Sequence, residues 1–222
     1  PKSGKDLVLT IDLQLQLAAE KALEDKIAGA IVALDPQTGA IRAIASRPNF
    51  DPGFFVRSNT SQKEYEDMFL SQNLPLLSRA INAYDPGSTW KIVTGMAGME
   101  TGQFPPEIQL QTAPCIQYGG HCFPEHNKNG FGKLGYEDAF RVSSNTFFYQ
   151  VGVGSGSQAL YEAAQKLGFN QFTGIELKLE ENKGLVGNER WAEQGRGWGK
   201  PGQTPWIPED IASASIGQSV VQ

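Results

Sequence analysis

The sequence predicts a mixed α/β fold, an α+β sandwich in which an antiparallel hairpin is followed by a helical body. Three observations carry that expectation. Two apolar runs, residues 30–34 and 41–45, flank Asp35-Pro36-Gln37-Thr38-Gly39, where Pro presets a turn and Gly supplies positive φ. From residue 88 onward, apolar residues recur at helical spacing. Hydrophobic residues make up 40% and charged residues 19% of 222, enough apolar side chains to bury a core.

The elements follow in order. Residues 7–10 read as a short apolar strand. Asp12 can cap the next helix, because its carboxylate accepts the orphan N–H groups of a first turn. Leu15, Ala18, Ala19, Ala22 and Leu23 would form that helix's buried face, and Gly29 would end it. After the hairpin, residues 48–80 read as irregular, with Asp51-Pro52-Gly53 as a turn. Residues 88–100 read as a helix stopped by Gly102, Pro105 and Pro106. Shorter helices are expected over 136–142, 146–152 and 157–167. The last has Leu160, Ala163, Ala164 and Leu167 on one face and Gly168 as its cap. Residues 182–208 read as a long loop rich in Gly, Pro and Trp. No internal repeat interrupts this, and the length fits one large domain or two small ones.

The net charge is −5 with no basic run, which argues against nucleic acid as a partner. The longest clean apolar run, residues 29–34, is far short of the ~20 residues of a membrane span. The opening Pro1-Lys2-Ser3-Gly4-Lys5 and the closing Ser219-Val220-Val221-Gln222 both read as cuts in a longer protein.

One constellation carries nucleophile chemistry. Ser88-Thr89-Trp90-Lys91 follows Asp85-Pro86-Gly87 and opens a helix, so a spacing of three puts Ser88 and Lys91 on one face. A serine hydroxyl needs a neighbouring base, and lysine serves only if its pKa falls from ~10.4 toward neutrality. The helix N-terminus favours a developing alkoxide and offers free N–H groups to an oxyanion. Ser-x-x-Lys alone is expected about once by chance in such a chain, so a capping serine and a solvated lysine are the bland alternative. Ser143-Ser144-Asn145 stands between two helical segments, where a second serine could pass protons and an amide could orient lysine and substrate. Ser71-Gln72-Asn73 repeats the pattern but precedes the Ser-x-x-Lys motif.

The pair Ser-x-x-Lys then Ser-x-Asn resembles the penicilloyl serine transferases. Further stretches are similar to the class B penicillin-binding proteins and their transpeptidase domain: Leu9-Thr10-Ile11-Asp12 with Leu15-Gln16, Val32-Ala33-Leu34-Asp35-Pro36 with Thr38-Gly39, residues 46–52, Pro86-Gly87-Ser88-Thr89, and Ser215-Ile216-Gly217-Gln218. Within that family they are nearer to the elongation branch, penicillin-binding protein 2. The resemblance implies a β-lactamase-like fold and a peptidoglycan D,D-transpeptidase. Ser88 would be acylated by stem peptides or β-lactam antibiotics, Lys91 would be general base, and Ser143 and Asn145 would transfer protons and orient substrate. It further implies an anchor in the cytoplasmic membrane, a catalytic domain outside it, and a membrane glycosyltransferase and elongation-complex proteins as partners. The family's Lys-Thr-Gly motif is absent, so the resemblance implies that residues 1–222 are one transpeptidase domain, incomplete at its C-terminal end, and that this piece alone is inactive. A serine β-lactamase or a β-lactam sensor is the competing reading; Ser143-Ser144-Asn145 fits neither β-lactamase class well.

Cys115, His121, Cys122 and His126, the only cysteines and histidines, fall within twelve residues. Three readings are open: a disulfide between Cys115 and Cys122 across a hairpin with Tyr118-Gly119 at its tip, one zinc bound by all four, or two free thiols. Adjacent His121 and Cys122 point to opposite faces of a strand, which disfavours zinc, and the disulfide is the expectation. No other cofactor is expected. Gly130-Phe131-Gly132-Lys133-Leu134-Gly135 matches a dinucleotide fingerprint but follows a polar stretch, so it reads as a loop. Trp90 reads as a core aromatic, and the Trp191–Trp206 stretch as a cover over part of a substrate groove.

Overall fold

The structure, a computed structural model, describes residues 4–177, 180–193 and 206–221. Its chain divides into two compact units, Pro1–Asn82 and Ala83–Gln222.

In the first unit, helix α1 (Leu13–Ala22) lies on an antiparallel hairpin of β1 (Gly29–Leu34) and β2 (Ile41–Arg47). Asp12 caps α1 as expected, accepting from the N–H groups of Gln14 at 2.9 Å and Leu15 at 3.1 Å. Such a cap is worth about 1 kcal/mol. The buried face is narrower than the periodicity implies. Ala19 and Leu23 meet Ala43 and Ala45, while Leu15, Ala18 and Ala22 are exposed. Gln16 takes the remaining place. Its amide donates to Ile44 O at 3.0 Å and accepts from Ile44 N at 2.8 Å, satisfying backbone that a neighbouring strand would otherwise pair.

Three expectations fail here. Residues 7–10 form no strand: Leu7, Val8 and Leu9 are 81%, 94% and 64% exposed, and Thr10 is held by its hydroxyl, which donates to Ile41 O, and by its carbonyl, which accepts from Arg42 Nη1. Gly29 opens β1 rather than ending α1, which stops at Ala22. The supposedly irregular stretch contains α2 (Gln62–Phe69). Ser61 and Glu64 form a capping box there, with Ser61 N donating to Glu64 Oε2 at 2.8 Å and Glu64 N to Ser61 Oγ at 3.2 Å.

The second unit is the helical body. A 3-10 turn (Gly87–Trp90) runs into α3 (Lys91–Glu100), which packs on α5 (Asn145–Ser155) and α6 (Ser157–Lys166). Short strands β3 (Leu110–Gln111) and β6 (Lys133–Leu134) pair, as do β4 (Cys115–Tyr118) and β5 (His121–Pro124). Helices α4 (Tyr136–Arg141), α7 (Glu189–Glu193) and α8 (Pro208–Ala214) complete it. Leu167, expected on the buried face of α6, is 47% exposed. Within the Gly130–Gly135 stretch residues 130–132 are loop, as expected, but Lys133–Leu134 form β6 and Gly135 caps α4; a turn rather than a strand precedes it, unlike a nucleotide-binding strand–turn–helix.

α3 is buried on most of its surface, and glycines make that possible. A Cβ on Gly98 would stand 2.5 Å from Val151 Cγ1, and one on Gly152 of α5 would stand 1.9 Å from Ser215 Oγ. Backbone therefore meets side chain at both helix crossings. One apolar cluster joins Trp90, Val93 and Ala97 to Leu160, Ala163, Ala164 and Val221; a second joins Phe147, Phe148 and Val151 to Tyr136, Ala139 and Ile216. The turn that carries Ser88 and the Ser143–Asn145 turn are each anchored in this packing.

Candidate active site

The site is built from two helix starts and a glycine crossing. Ser88 lies in the 3-10 turn before α3 and is exposed, whereas Lys91, three residues on, is 1% exposed. The turn is held from behind: Gly87 N donates to Gly217 O at 2.9 Å. Gly217 has φ 74°, and a Cβ there would lie 2.2 Å from Gly87 O and 2.6 Å from Trp90 Cβ. Only glycine fits, which gives the Ser215-Ile216-Gly217-Gln218 stretch a physical role. Ser215 is fully buried, and Thr94 Oγ1 donates to its carbonyl at 2.8 Å.

The Ser143–Asn145 turn stands against Lys91. Lys91 Nζ donates to Ser143 O at 2.6 Å, Ser143 Oγ at 3.0 Å and Asn145 Oδ1 at 2.8 Å. An ammonium has three protons, so these three acceptors saturate it. None of them is Ser88 Oγ. Ser143 sits at φ 53°, a left-handed conformation that costs a non-glycine residue about 1–3 kcal/mol and points both its oxygens at the amine. Asn145 is the first residue of α5, and Ser144 caps that helix, accepting from Phe147 N at 3.2 Å.

Burial pushes the Lys91 amine down to about 8, against the charge of Glu125, which pulls it up. Glu125 was not singled out in the sequence, where it is one acid in a polar stretch. It is 1% exposed. Oε1 accepts from Asn145 N at 2.7 Å and His126 N at 3.0 Å; Oε2 accepts from Ser144 Oγ at 2.6 Å, Thr146 Oγ1 at 2.8 Å and Thr146 N at 3.0 Å. Burial pushes this carboxyl up, but these bonds outweigh it and the net shift is downward, so it is ionised. It stands at the N-terminus of α5, where the helix dipole favours an anion.

A cavity of about 340 Å³ brings the parts together, lined by Gly87, Ser88, His126, Val142, Ser143, Asn145, Ile216 and Gln218. Ser88, Ser143 and Asn145 thus line one opening, and Lys91, bonded to the last two, is buried. The copy at Ser71–Asn73 lies in the other unit.

The cysteine and histidine cluster divides. Cys115 and Cys122 are joined in a disulfide, with Cα atoms 5.7 Å apart. The hairpin tip is Gly119-Gly120, not Tyr118-Gly119, because two glycines at φ 57° and 85° form the turn and Tyr118 pairs with His121. Cys122 therefore opposes Gln117, and the bridge runs diagonally rather than directly across. His121 Nδ1 meets Glu209 Oε1 at 2.5 Å, and His126 Nε2 meets Val142 O at 2.9 Å. The zinc alternative does not fit these residues: the thiols are spent on each other, and no group of three or more ligands gathers among the described residues. Trp90 is a core residue, 2% exposed. Trp191 and Trp206 pack against the same core cluster; residues 194–205 between them, with Trp198, on which the expected groove cover falls, lie outside the described residues.

Known proteins are similar over most or all of the chain. A family model described as "Penicillin binding protein transpeptidase domain" matches residues 29–220. The chain is 33% identical over 221 residues to the peptidoglycan D,D-transpeptidase MrdA of Escherichia coli, covering 98% of this chain and 34% of that protein. It thus spans about a third of the length of the curated relatives it matches. It superposes on penicillin-binding protein 2 of Pseudomonas aeruginosa, crystallised with WCK 5153, with TM-score 0.88 and 32% identity over 100% of this chain and 47% of that one. On penicillin-binding protein 2 of Helicobacter pylori, in its complex with MreC, the TM-score is 0.85 and the identity 28% over 95% of this chain and 38% of that one. With the profile, the fold and the serine–lysine–asparagine geometry in agreement, the chain belongs to the penicillin-binding protein transpeptidase family.

Proposed function

We propose that this chain carries the acyl-transfer site of a peptidoglycan D,D-transpeptidase, with Ser88 as nucleophile. The observation that carries the reading is the buried Lys91 amine, brought near neutrality and bonded to Ser143 and Asn145 beside the exposed Ser88.

In the first step Lys91, as the free amine, takes the proton of Ser88 Oγ as Oγ bonds to the carbonyl carbon of the penultimate D-Ala. The bond from that carbon to the nitrogen of the terminal D-Ala then breaks. Ser143 Oγ, bonded to Lys91 Nζ at 3.0 Å, relays a proton to the leaving nitrogen. In the second step an amine from a neighbouring stem peptide attacks the acyl-serine and returns Ser88 to its hydroxyl form. The amide of Asn145 accepts from Lys91 through Oδ1, so its N–H groups are the ones able to hold a substrate carbonyl. A β-lactam would acylate Ser88 by opening its ring, its amide nitrogen remaining tethered.

The same reading assigns the chain to the extracytoplasmic side of a cytoplasmic membrane, within an enzyme anchored there. No helix among the described residues is long and apolar enough to cross a membrane. A membrane glycosyltransferase and elongation-complex proteins would be partners of the whole protein, as the MreC complex of the H. pylori relative suggests by analogy.

The test is labelling of the whole protein, carried beyond residues 1–222 through a Lys-Thr-Gly strand, with a fluorescent penicillin, followed by peptide mass mapping. Label should sit on Ser88, persist for long periods, and vanish in Ser88→Ala. Label that survives that substitution would overturn the nucleophile. Rapid loss of label from the unsubstituted protein would replace transpeptidation by β-lactam hydrolysis.

A further inference from the structure

Glu125 is the most heavily bonded buried charge described in the second unit, and the reaction sketched above gives it no part. We propose that Glu125 is a positioning residue for acyl transfer, its carboxylate holding the Ser143–Asn145 turn in register with Lys91. The inference rests on the transpeptidase reading.

The geometry supports this step by step. Both carboxylate oxygens are used, and four of their five donors belong to residues 144–146, immediately after Ser143. Asn145 is clamped from two sides: its N–H by Glu125 Oε1 at 2.7 Å, and its Oδ1 by Lys91 Nζ at 2.8 Å. A shift of the carboxylate would therefore move the amide and the serine that Lys91 grips. Such a clamp could have been made by neutral groups, but a charge does a second task. Among the described residues Glu125 is the charge that acts on Lys91, opposing the effect of burial. The other groups nearby leave that role alone. Tyr149 is pushed up to about 12 by burial and by Glu125, so it stays neutral; His126 turns its Nε2 to Val142 O; and Phe148 presents a ring 5.8 Å from Nζ. The carboxylate thus fixes where the base stands and holds back how far its pKa falls.

Two substitutions separate charge from reach. Glu125→Gln keeps the length and removes the charge. Its Nε2 can donate to the hydroxyls of Ser144 and Thr146, while Oε1 still accepts from Asn145 N and His126 N; only Thr146 N, which donates to Oε2 at 3.0 Å, loses its acceptor. Glu125→Asp keeps the charge and withdraws it by one methylene. The readout is the rate of Ser88 acylation by a chromogenic β-lactam against pH, with circular-dichroism melts as a folding control. Glu125→Gln should move the acid limb of the profile to lower pH. Glu125→Asp should leave the limb in place and lower the plateau about 100-fold, the scale of a misplacement of about 1 Å. A carboxylate that only stabilises the fold would lower the melting temperature in both without moving the limb in one. An unmoved limb and an unchanged plateau in both variants would overturn the assignment, as would failure of both to fold. These measurements use the whole protein: if it is not acylated at all without substitution, the transpeptidase reading itself falls; if it is acylated and the variants behave identically to it, only the role of Glu125 falls.

Discussion

Lys91 Nζ is bonded to both oxygens of Ser143, the carbonyl at 2.6 Å and the hydroxyl at 3.0 Å. One strained residue therefore supplies two of the three acceptors of a buried amine. The left-handed turn at Ser143 and the placement of that amine therefore depend on each other.

Acylation of Ser88 should rise with pH and level off above about 8. Lys91 must give up a proton before it can accept one, and burial brings its pKa to about 8. Below that value the free-amine fraction falls tenfold per pH unit, to about a tenth at pH 7. Stopped-flow acylation between pH 6 and pH 10 checks this. A profile that is flat across that range would remove Lys91 from the role of base.

Ser143→Ala keeps the bond from Lys91 to the backbone carbonyl and loses only the hydroxyl. Alanine is no more strained than serine at φ 53°, so the melting temperature should change little. Transfer to an acceptor amine should slow by about 100-fold or more, the usual scale for a lost acid–base group. Ser143→Gly is the companion, since it relieves the strained φ and loses the same hydroxyl. Slowing in both, without loss of stability, would separate proton transfer from turn geometry. Wild-type transfer rates in both would refute the relay.

Gly217→Ala should be among the more destabilising substitutions in the second unit. The new Cβ would stand 2.2 Å from Gly87 O, which is backbone and cannot swing away, and φ is 74°. Overpacking and strain together suggest a loss of about 3 kcal/mol or more. Penicillin labelling should fall with it, because the displaced partner is the turn that carries Ser88. A thermal melt superimposable on that of the unsubstituted protein would show that the crossing is looser than drawn.

The protein isolated under oxidising conditions should weigh two hydrogens less than after reduction, with Cys115 and Cys122 in one cross-linked peptide. The bridge closes a short loop, with a sequence separation of 7, so replacing both cysteines by serine should cost only about 2–3 kcal/mol on a chain-entropy basis. Stoichiometric zinc with two free thiols would reverse the conclusion.

Local chemistry was legible in the sequence wherever the cause was local. Asp12 was recognisable as a cap, Asp35 to Gly39 as a hairpin turn, and residues 157–167 as an amphipathic helix, because each depends on neighbours within a few positions. Helix α2 was equally local, and its Ser61–Glu64 capping box was the signal that could have found it. Misses elsewhere came from packing that no spacing rule contains. Leu15 and Leu167 fit helical faces yet are exposed, since burial depends on what lies opposite. The glycine pair at 119–120 shifted the hairpin tip by one residue and made the disulfide diagonal.

The sequence by itself determined the chemical parts: a serine and a lysine three apart at a helix start, a second serine with an asparagine, and two cysteines close enough to pair. Their order along the chain was enough to identify the family. Only the tertiary structure decided how those parts act on one another. A lysine's pKa is a property of its surroundings, and burial of Lys91 against Phe148 and the Ser143 turn is made by residues 52 and more positions away. Glu125 is invisible as a lone acid in a polar stretch; its weight comes from five donors converging at the start of α5, which folding alone brings together. Gly217 reads as a flexible residue until Gly87 is found 130 positions earlier in the chain, pressed against it with no room for a methyl group.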